Sequence, residues 1–367
     1  MKKLLCIVGG MNAGGAETFL MKVYRKLDKS RFQIDFAVAI SGDGYYDGEI
    51  QSMGGQVFHI TPKTANCVRN FKEIMNLVRQ EQYSYVLRVS QHSLSALELL
   101  AARCGGATHT IFRSSNSNTT GGKRDQFLHH ICKFMPYFFA TTKLAPSTEA
   151  AEFMFGKNCI VKRHAFLLHN GIDLEIFHFD MHNRETIRRE FGIDNSTTVI
   201  GHVGRFTEQK NHVFLLEVFS AYLRLHPNSV LLLIGKGELE PFIKAKASAL
   251  QLSNNIIFAG VRSDVPAVLS AMDVFAFPSF YEGMPNTIIE AQATGLPCVL
   301  ADTITKEADI TGLLTYLPLG DAARWANEIA GKRACARRDT SEELKAAGYD
   351  INEVCKEFVQ MIFGEDA

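Results

Sequence analysis

The feature that most limits the fold is an alternation. Short, continuously apolar runs recur along the chain, separated by amphipathic stretches of helical period. The first half offers LLCIV, QIDFAVAI, QVFHI, YSYVLRV, HTIF, KLAPS and FLLHN as strands. ETFLMKVYRKL, NFKEIMNLVRQEQ, LSALELLAARCG and QFLHHICKFM lie among them as helices. Strands that are apolar throughout belong to parallel sheets covered on both faces. Alternation with helices builds βαβ units. After HNGIDLEIFHFD the pattern restarts with TTVIGHV, VLLLIG, NIIFAG, VFAFP, CVLAD and LTYLPL. Its helices are HVFLLEVFSAYLRL, ELEPFIKAKASAL, VPAVLSAM and NTIIEAQATG, and ELKAAGYDINEVCKEFVQMIF ends the chain in helices. The 367 residues therefore read as α/β: two doubly wound, Rossmann-like domains in tandem. Ligands of such sheets bind outside the carboxyl ends of the strands, so two domains facing across a cleft are expected to share a site.

Composition narrows the class. Hydrophobic residues at 46% and charged residues at 21% suit a soluble chain with a large core. No apolar run reaches the roughly 18–20 residues of a membrane span. The opening MKKLLCIVGG runs straight into glycines and reads as a first strand, not a signal peptide. Eight cysteines form no CxxC pair, which fits reduced thiols and a cytoplasmic location. The net charge is zero but unevenly shared: residues 1–178 carry 21 Lys+Arg against 14 Asp+Glu, and the rest 18 against 25. No long basic run is present, so nucleic acid is not an expected partner.

Three loops carry chemistry. GGMNAGGAET at 9–18 joins a strand to a helix, and Gly14 and Gly15 fit either an anion cradle or a plain tight turn. It is neither a GxGxxG fingerprint nor a Walker loop. GHVGRFTEQKNH at 201–212 sets Arg205 and Lys210 at a strand end, where two cations suit a diphosphate or are ordinary solvated charges. FPSFYEGMPNTIIEAQATGLPCVLAD at 277–302 is the most telling. Glu282 falls at its turn and Glu290 about one turn into the helix that starts near Asn286. Amides around Gly283–Asn286 can receive phosphate oxygens, and two carboxylates can accept sugar hydroxyls.

With GGAE (14–17), HNGID (169–173), IGKGELE (234–240) and AQATGLPCVLAD (291–302), these segments resemble the GT-B-fold retaining glycosyltransferases of family four (glycosyl transferases group 1), exopolysaccharide-biosynthesis type. The resemblance implies a GT-B architecture with an N-terminal acceptor domain at 1–175 and a C-terminal nucleotide-sugar donor domain at 176–348. A helix at 349–367 would pack back towards the N-terminal domain. It implies catalytic roles for Arg205, Lys210 and Glu282, the two cations holding the diphosphate and Glu282 the sugar hydroxyls. Gly15, Gly204, Gly260, Val261, Arg262, Gly283, Met284, Pro285, Asn286 and Glu290 would contact the donor, Glu290 at the ribose and 260–262 beside the base. Where many relatives carry a histidine after the strand at 110–112, this chain reads FRSSN, leaving Arg113 and Asn116 there. Arg113, Asn116 and His92 are the acceptor-side candidates.

The reaction expected is transfer from a UDP-hexose or UDP-N-acetylhexosamine to a glycan or undecaprenyl-diphosphate-linked acceptor. No Asp-x-Asp occurs, so no metal and no cofactor beyond the nucleotide-sugar co-substrate is expected. The basic, aromatic-rich segment at 121–143 fits either a core helix and strand or peripheral contact with the inner face of the plasma membrane. The alternative from another class is a non-catalytic sugar-nucleotide-binding or scaffold subunit of a polysaccharide assembly system.

Overall fold

The computed structural model describes residues 1–12, 14–115 and 122–364. The chain divides into two compact units, residues 1–171 with 348–367, and residues 172–347. Asn116 lies outside the described residues.

The first unit is built on seven strands: β1 (Lys2–Val8), β2 (Phe32–Val38), β3 (Val57–His59), β4 (Tyr85–Ser90), β5 (His109–Ser114), β6 (Thr142–Ala145) and β7 (Phe166–Leu167). Their order is β3-β2-β1-β4-β5-β6-β7 and every pairing is parallel. β1 and β2 are buried over nearly their whole length, which is why they read as unbroken apolar runs. The helix Ile351–Phe363 completes this unit's core: Ile351, Val354, Phe358, Val359 and Ile362 are buried in it. Phe358 meets Phe19 of the helix Gly15–Lys26 edge-on at 6.5 Å, and Phe363 packs on Phe32 at 4.8 Å. Gly171 lets the returning chain in, since a Cβ there would lie 2.9 Å from the Ile351 backbone.

The second unit holds β8 (Thr198–Val203), β9 (Ser229–Ile234), β10 (Ile256–Gly260), β11 (Val274–Phe277), β12 (Cys298–Ala301) and β13 (Leu314–Leu317). Their order is β10-β9-β8-β11-β12-β13, again all parallel. In both sheets the winding direction reverses beside the first strand of the unit. The crevices where doubly wound sheets take ligands therefore open between β1 and β4, and between β8 and β11. Asp273 ties the helix Met181–Glu190 to this second sheet. Its carboxylate accepts from Arg184 at 2.6 Å, Arg188 at 2.8 Å and the Val199 amide at 2.7 Å.

All thirteen expected strands are present. Helices beyond those expected include Asp47–Ser52, Met135–Phe139, Thr148–Phe155 and Ala322–Lys332. β5 also extends past its expected end. Arg113 and Ser114 continue in register with Val89 and Ser90, so Arg113 belongs to the sheet and not to the loop after it. The ladder to β4 stays intact there, and that holds the strand straight. Among the described residues no helix is long and apolar enough to cross a membrane.

Candidate active site

Two loops meet where β8 and β11 lie side by side. The first leaves β8 at Val203, turns through Gly204 and Arg205, and enters the helix His212–Leu225. The second leaves β11 at Phe277 and enters the helix Asn286–Ala293. Gly204 has a steric reason: a Cβ there would sit 2.9 Å from the His202 Nε2. Gly235, at φ +133, brings its backbone against the Gly204 carbonyl, where a Cβ would be 2.1 Å away.

Three bonds join the two loops. The Phe280 amide donates to the Gln209 carbonyl at 2.9 Å, and Gln209 Nε2 donates to the Tyr281 carbonyl at 2.9 Å. Lys210 Nζ lies 2.6 Å from Glu282 Oε1, with both side chains largely shielded, at 16% and 13% exposure. The ammonium also sits 4.5 Å from the centre of the Phe277 ring. Gln209 carried no signal in the sequence, being one polar residue among several in a loop. The structure makes it the latch that sets the Lys210–Glu282 pair.

Arg205 is placed differently. It is exposed, and among the described residues its guanidinium makes no hydrogen bond or ion pair. A cation at a strand end with no internal partner is available for an anion. The helix starts beside it are unequal. Asn211, in the left-handed region at φ 53, caps the helix His212–Leu225 by accepting from the Phe214 amide. No side chain caps the helix Asn286–Ala293, whose N-cap is Pro285. Of the two helix starts, only the first has a side-chain cap, and an N-terminus without one suits an anion. Gly283, Pro285 and Glu290 are buried there, with Met284 and Asn286 half-buried.

Beneath the loops lies a pair of buried histidines. His202 Nδ1 donates to the Ala276 carbonyl at 2.9 Å, which fixes its tautomer, and the His212 ring meets it edge-on at 4.7 Å. Phe206 stacks on His212 at 4.3 Å. Burial holds both rings neutral: His202 falls well below the ordinary imidazole range and His212 drops to about 4.

The other predicted residues are scattered. Gly260, at φ +67, accepts from the Gly235 amide through its carbonyl, and Val261 is exposed. Arg262 is spent on two carboxylates, Glu190 and Asp264, whose bonds raise its pKa. In the first unit Gly15 opens the helix Gly15–Lys26, whose N-cap Gly14 brings no side chain. Arg113 is only 1% exposed. Its Nη2 donates to the Leu168 carbonyl at 3.1 Å and to Asn170 Oδ1 at 2.6 Å, and its head lies 4.0 Å from the Phe19 ring centre. Burial pulls its pKa down to about 9. It braces the strand ends from inside. His92 has both ring nitrogens occupied: Nδ1 accepts from the Leu94 amide, and Nε2 donates to the Asp125 carbonyl at 3.1 Å.

Residues 183–312, which include both loops, match the family model for glycosyl transferases group 1. Across 360 residues the chain is 32% identical to EpsF of Bacillus subtilis (strain 168), a glycosyltransferase by name, covering 96% of this chain and 94% of that one. The chain belongs to the glycosyl transferases group 1 family. This glycosyltransferase is also 25% identical over 299 residues to an Escherichia coli enzyme named UDP-Gal:alpha-D-GlcNAc-diphosphoundecaprenol alpha-1,3-galactosyltransferase, covering 78% of this chain and 76% of that one. Its fold matches Anabaena Alr3699/HepE, solved in complex with UDP and glucose, at a TM-score of 0.77 and 17% identity over the full length of both chains. WaaG, a glycosyltransferase involved in lipopolysaccharide biosynthesis, matches at a TM-score of 0.72 and 14% identity over 99% of this chain and the full length of that one. The fold of the glycosyltransferase is therefore GT-B, with two Rossmann-like units.

Proposed function

We propose that the glycosyltransferase moves a hexose or N-acetylhexosamine from a UDP-sugar to a glycan or undecaprenyl-diphosphate-linked acceptor, with retention at the anomeric carbon. No metal bridges the diphosphate in this reading. The observation that carries it is the exposed Arg205, unpaired among the described residues, on the same β8 loop as Lys210 of the Lys210–Glu282 pair. As UDP departs, negative charge grows on the β-phosphate. Arg205 and the uncapped start of the helix Asn286–Ala293 meet that charge with fixed cation and dipole, and Lys210 adds a second cation held at a set position. Glu282, oriented by Lys210, accepts hydroxyls of the donor sugar, and Glu290 accepts from the ribose. Gly204, Gly260, Val261 and the 283–286 backbone line the donor, with Arg262 beside the base. The acceptor oxygen attacks from the leaving-group face and its proton passes to the departing phosphate. The two glutamates serve different parts of the donor, so the paired-carboxylate chemistry of glycosidases does not apply. The UDP complexes of HepE and the named donor and acceptor of the Escherichia coli relative support the donor and acceptor classes.

In this reading the first unit also touches the inner face of the plasma membrane. Phe127, Ile131, Phe134 and Phe138 follow one another at helical spacing from the helix Lys123–Ile131 into Met135–Phe139, and all four are exposed. Lys133 stands over the Phe153 ring of the helix Thr148–Phe155 and Lys143 over the Tyr137 ring, so two lysines of the 121–143 segment accompany the apolar stripe.

Calorimetry of UDP in EDTA, followed by UDP release from a panel of UDP-sugars with lipid-linked acceptor, tests the donor site. Binding in EDTA and acceptor-stimulated release are expected. Binding that appears only after a divalent cation is restored would remove the metal-free scheme.

A further inference from the structure

A second cluster of ligand-type side chains lies at the carboxyl ends of β2 and β3 in the first sheet. Asp43 lies on the loop after β2, Asp47 opens the helix Asp47–Ser52 that follows it, and β3 ends on His59. One ligand atom from each of the three lies within 4.8 Å of the others. Asp47 is only 7% exposed, and its Oδ1 is buried with no hydrogen-bond partner. Its Oδ2 accepts from the Gly44 amide at 2.7 Å, which fixes the carboxylate. A buried carboxylate oxygen without a donor is costly unless something positive reaches it. Among the described residues no Lys or Arg pairs with Asp47 or Asp43.

His59 supplies an independent sign. Its Nδ1 stands 3.0 Å from the Ile40 carbonyl. A carbonyl can only accept, so Nδ1 carries the proton and Nε2 keeps its lone pair. That arrangement, a backbone carbonyl behind one imidazole nitrogen, orients metal-ligating histidines.

We propose that Asp43, Asp47 and His59 bind a divalent first-row cation. Two carboxylates and one neutral imidazole offer two negative charges and mixed oxygen and nitrogen donors, the set that Mn²⁺ and Zn²⁺ accept. The ion has a structural task. The same loop is bonded to the glycine segment after β1, through the Tyr46 amide to the Met11 carbonyl at 3.0 Å and the Tyr45 amide to Asn12 Oδ1 at 3.3 Å. A cation joining this loop to β3 fixes the segment that leads to Gly14 and Gly15. The site lies in the other unit from the proposed diphosphate contacts, so it stands whether or not donor binding needs a metal.

The test uses Mn²⁺ itself, because Cys67, Cys104 and Cys335 are exposed and would compete for Zn²⁺. The full chain is stripped with EDTA, dialysed and titrated with Mn²⁺ by electron paramagnetic resonance, without nucleotide. One Mn²⁺ per chain and a higher Tm are expected. Asp43→Asn and His59→Ala, both at exposed positions, should each weaken binding at least about tenfold. Asp47→Asn keeps an acceptor for Gly44 and should do the same. No Mn²⁺ bound by the wild-type chain, or undiminished binding by the Asp43→Asn/His59→Ala chain, would overturn the proposal. UDP affinity in EDTA is measured on the same variants and should be unchanged, which separates this test from that of the donor site.

Discussion

Lys210 Nζ and Glu282 Oε1 stand 2.6 Å apart, each from a different loop, and they close the β8–β11 crevice with a charge pair. The pair is small in stability terms and large in positioning terms. Partly shielded pairs of this kind contribute on the order of 1 kcal/mol to folding. A double-mutant cycle with Lys210→Met and Glu282→Gln should return a coupling of that size in denaturant unfolding. The same substitutions should cut turnover by about a hundredfold or more. Turnover losses no larger than the stability coupling would show the pair to be scaffolding alone.

Arg205 is the opposite case, a cation that supports nothing in the fold. Arg205→Ala should leave Tm within about a degree, a surface substitution costing under about 0.5 kcal/mol. Its kcat should fall about a hundredfold, near 3 kcal/mol of lost charge stabilisation. UDP release kinetics read the second quantity, and wild-type turnover in this variant would end the leaving-group role.

The buried histidines make stability depend on acid in a definite direction. His202 and His212 are held neutral in the folded chain, His212 down to about 4, as is His129 in the first unit, also at about 4. The unfolded chain binds a proton near pH 6.5 and the folded chain does not. Stability is therefore full above pH 6.5 and is lost as pH falls towards 4, on the order of 2–3 kcal/mol for each fully buried ring. Thermal melts between pH 7 and 4.5 should show this slope. His212→Gln should flatten it, and an unchanged slope would mean that the loss comes from other groups.

Asp273 anchors two arginines and one strand amide at once. Asp273→Ala strands Arg188, which is 1% exposed, inside the second unit. A loss of about 3–5 kcal/mol is expected in urea unfolding. A loss under 1 kcal/mol would mean that water replaces the carboxylate.

The exposed stripe of Phe127, Phe134 and Phe138 gives a surface prediction. Replacing all three by serine should reduce flotation with anionic vesicles several-fold while Tm is kept, since none of these rings is buried. Equal flotation of variant and wild type would dismiss the membrane contact.

What the sequence made legible was whatever depends on local pattern. The strands were visible because both sheets are covered on both faces, and the 201–212 and 277–302 loops because strand, turn and helix signals sit at fixed offsets there. Long-range partners were not visible. Arg113 read as a loop cation, yet its guanidinium is held by Leu168 and Asn170, more than fifty residues on. His92 read as an acceptor-side candidate, yet Asp125 and Leu94 use both its nitrogens. The helix Ala322–Lys332 escaped notice because its apolar stripe is narrow, with Trp325, Ala326 and Ile329 as its buried residues. Gln209 had no distinguishing neighbour in sequence, and its role exists only once β8 and β11 are adjacent.

The return of the helix Ile351–Phe363 to the first unit sets an order of assembly on the ribosome. Residues 172–347 form one uninterrupted stretch, so that unit has all its parts before synthesis ends. The first unit, begun earlier, waits for the thirteen residues of the helix Ile351–Phe363 before Phe19 and Phe32 are covered. A chain cut short near Gly348 would thus release a finished second unit joined to a first unit with an open greasy flank, a natural handle for chaperones and proteases that discard incomplete copies.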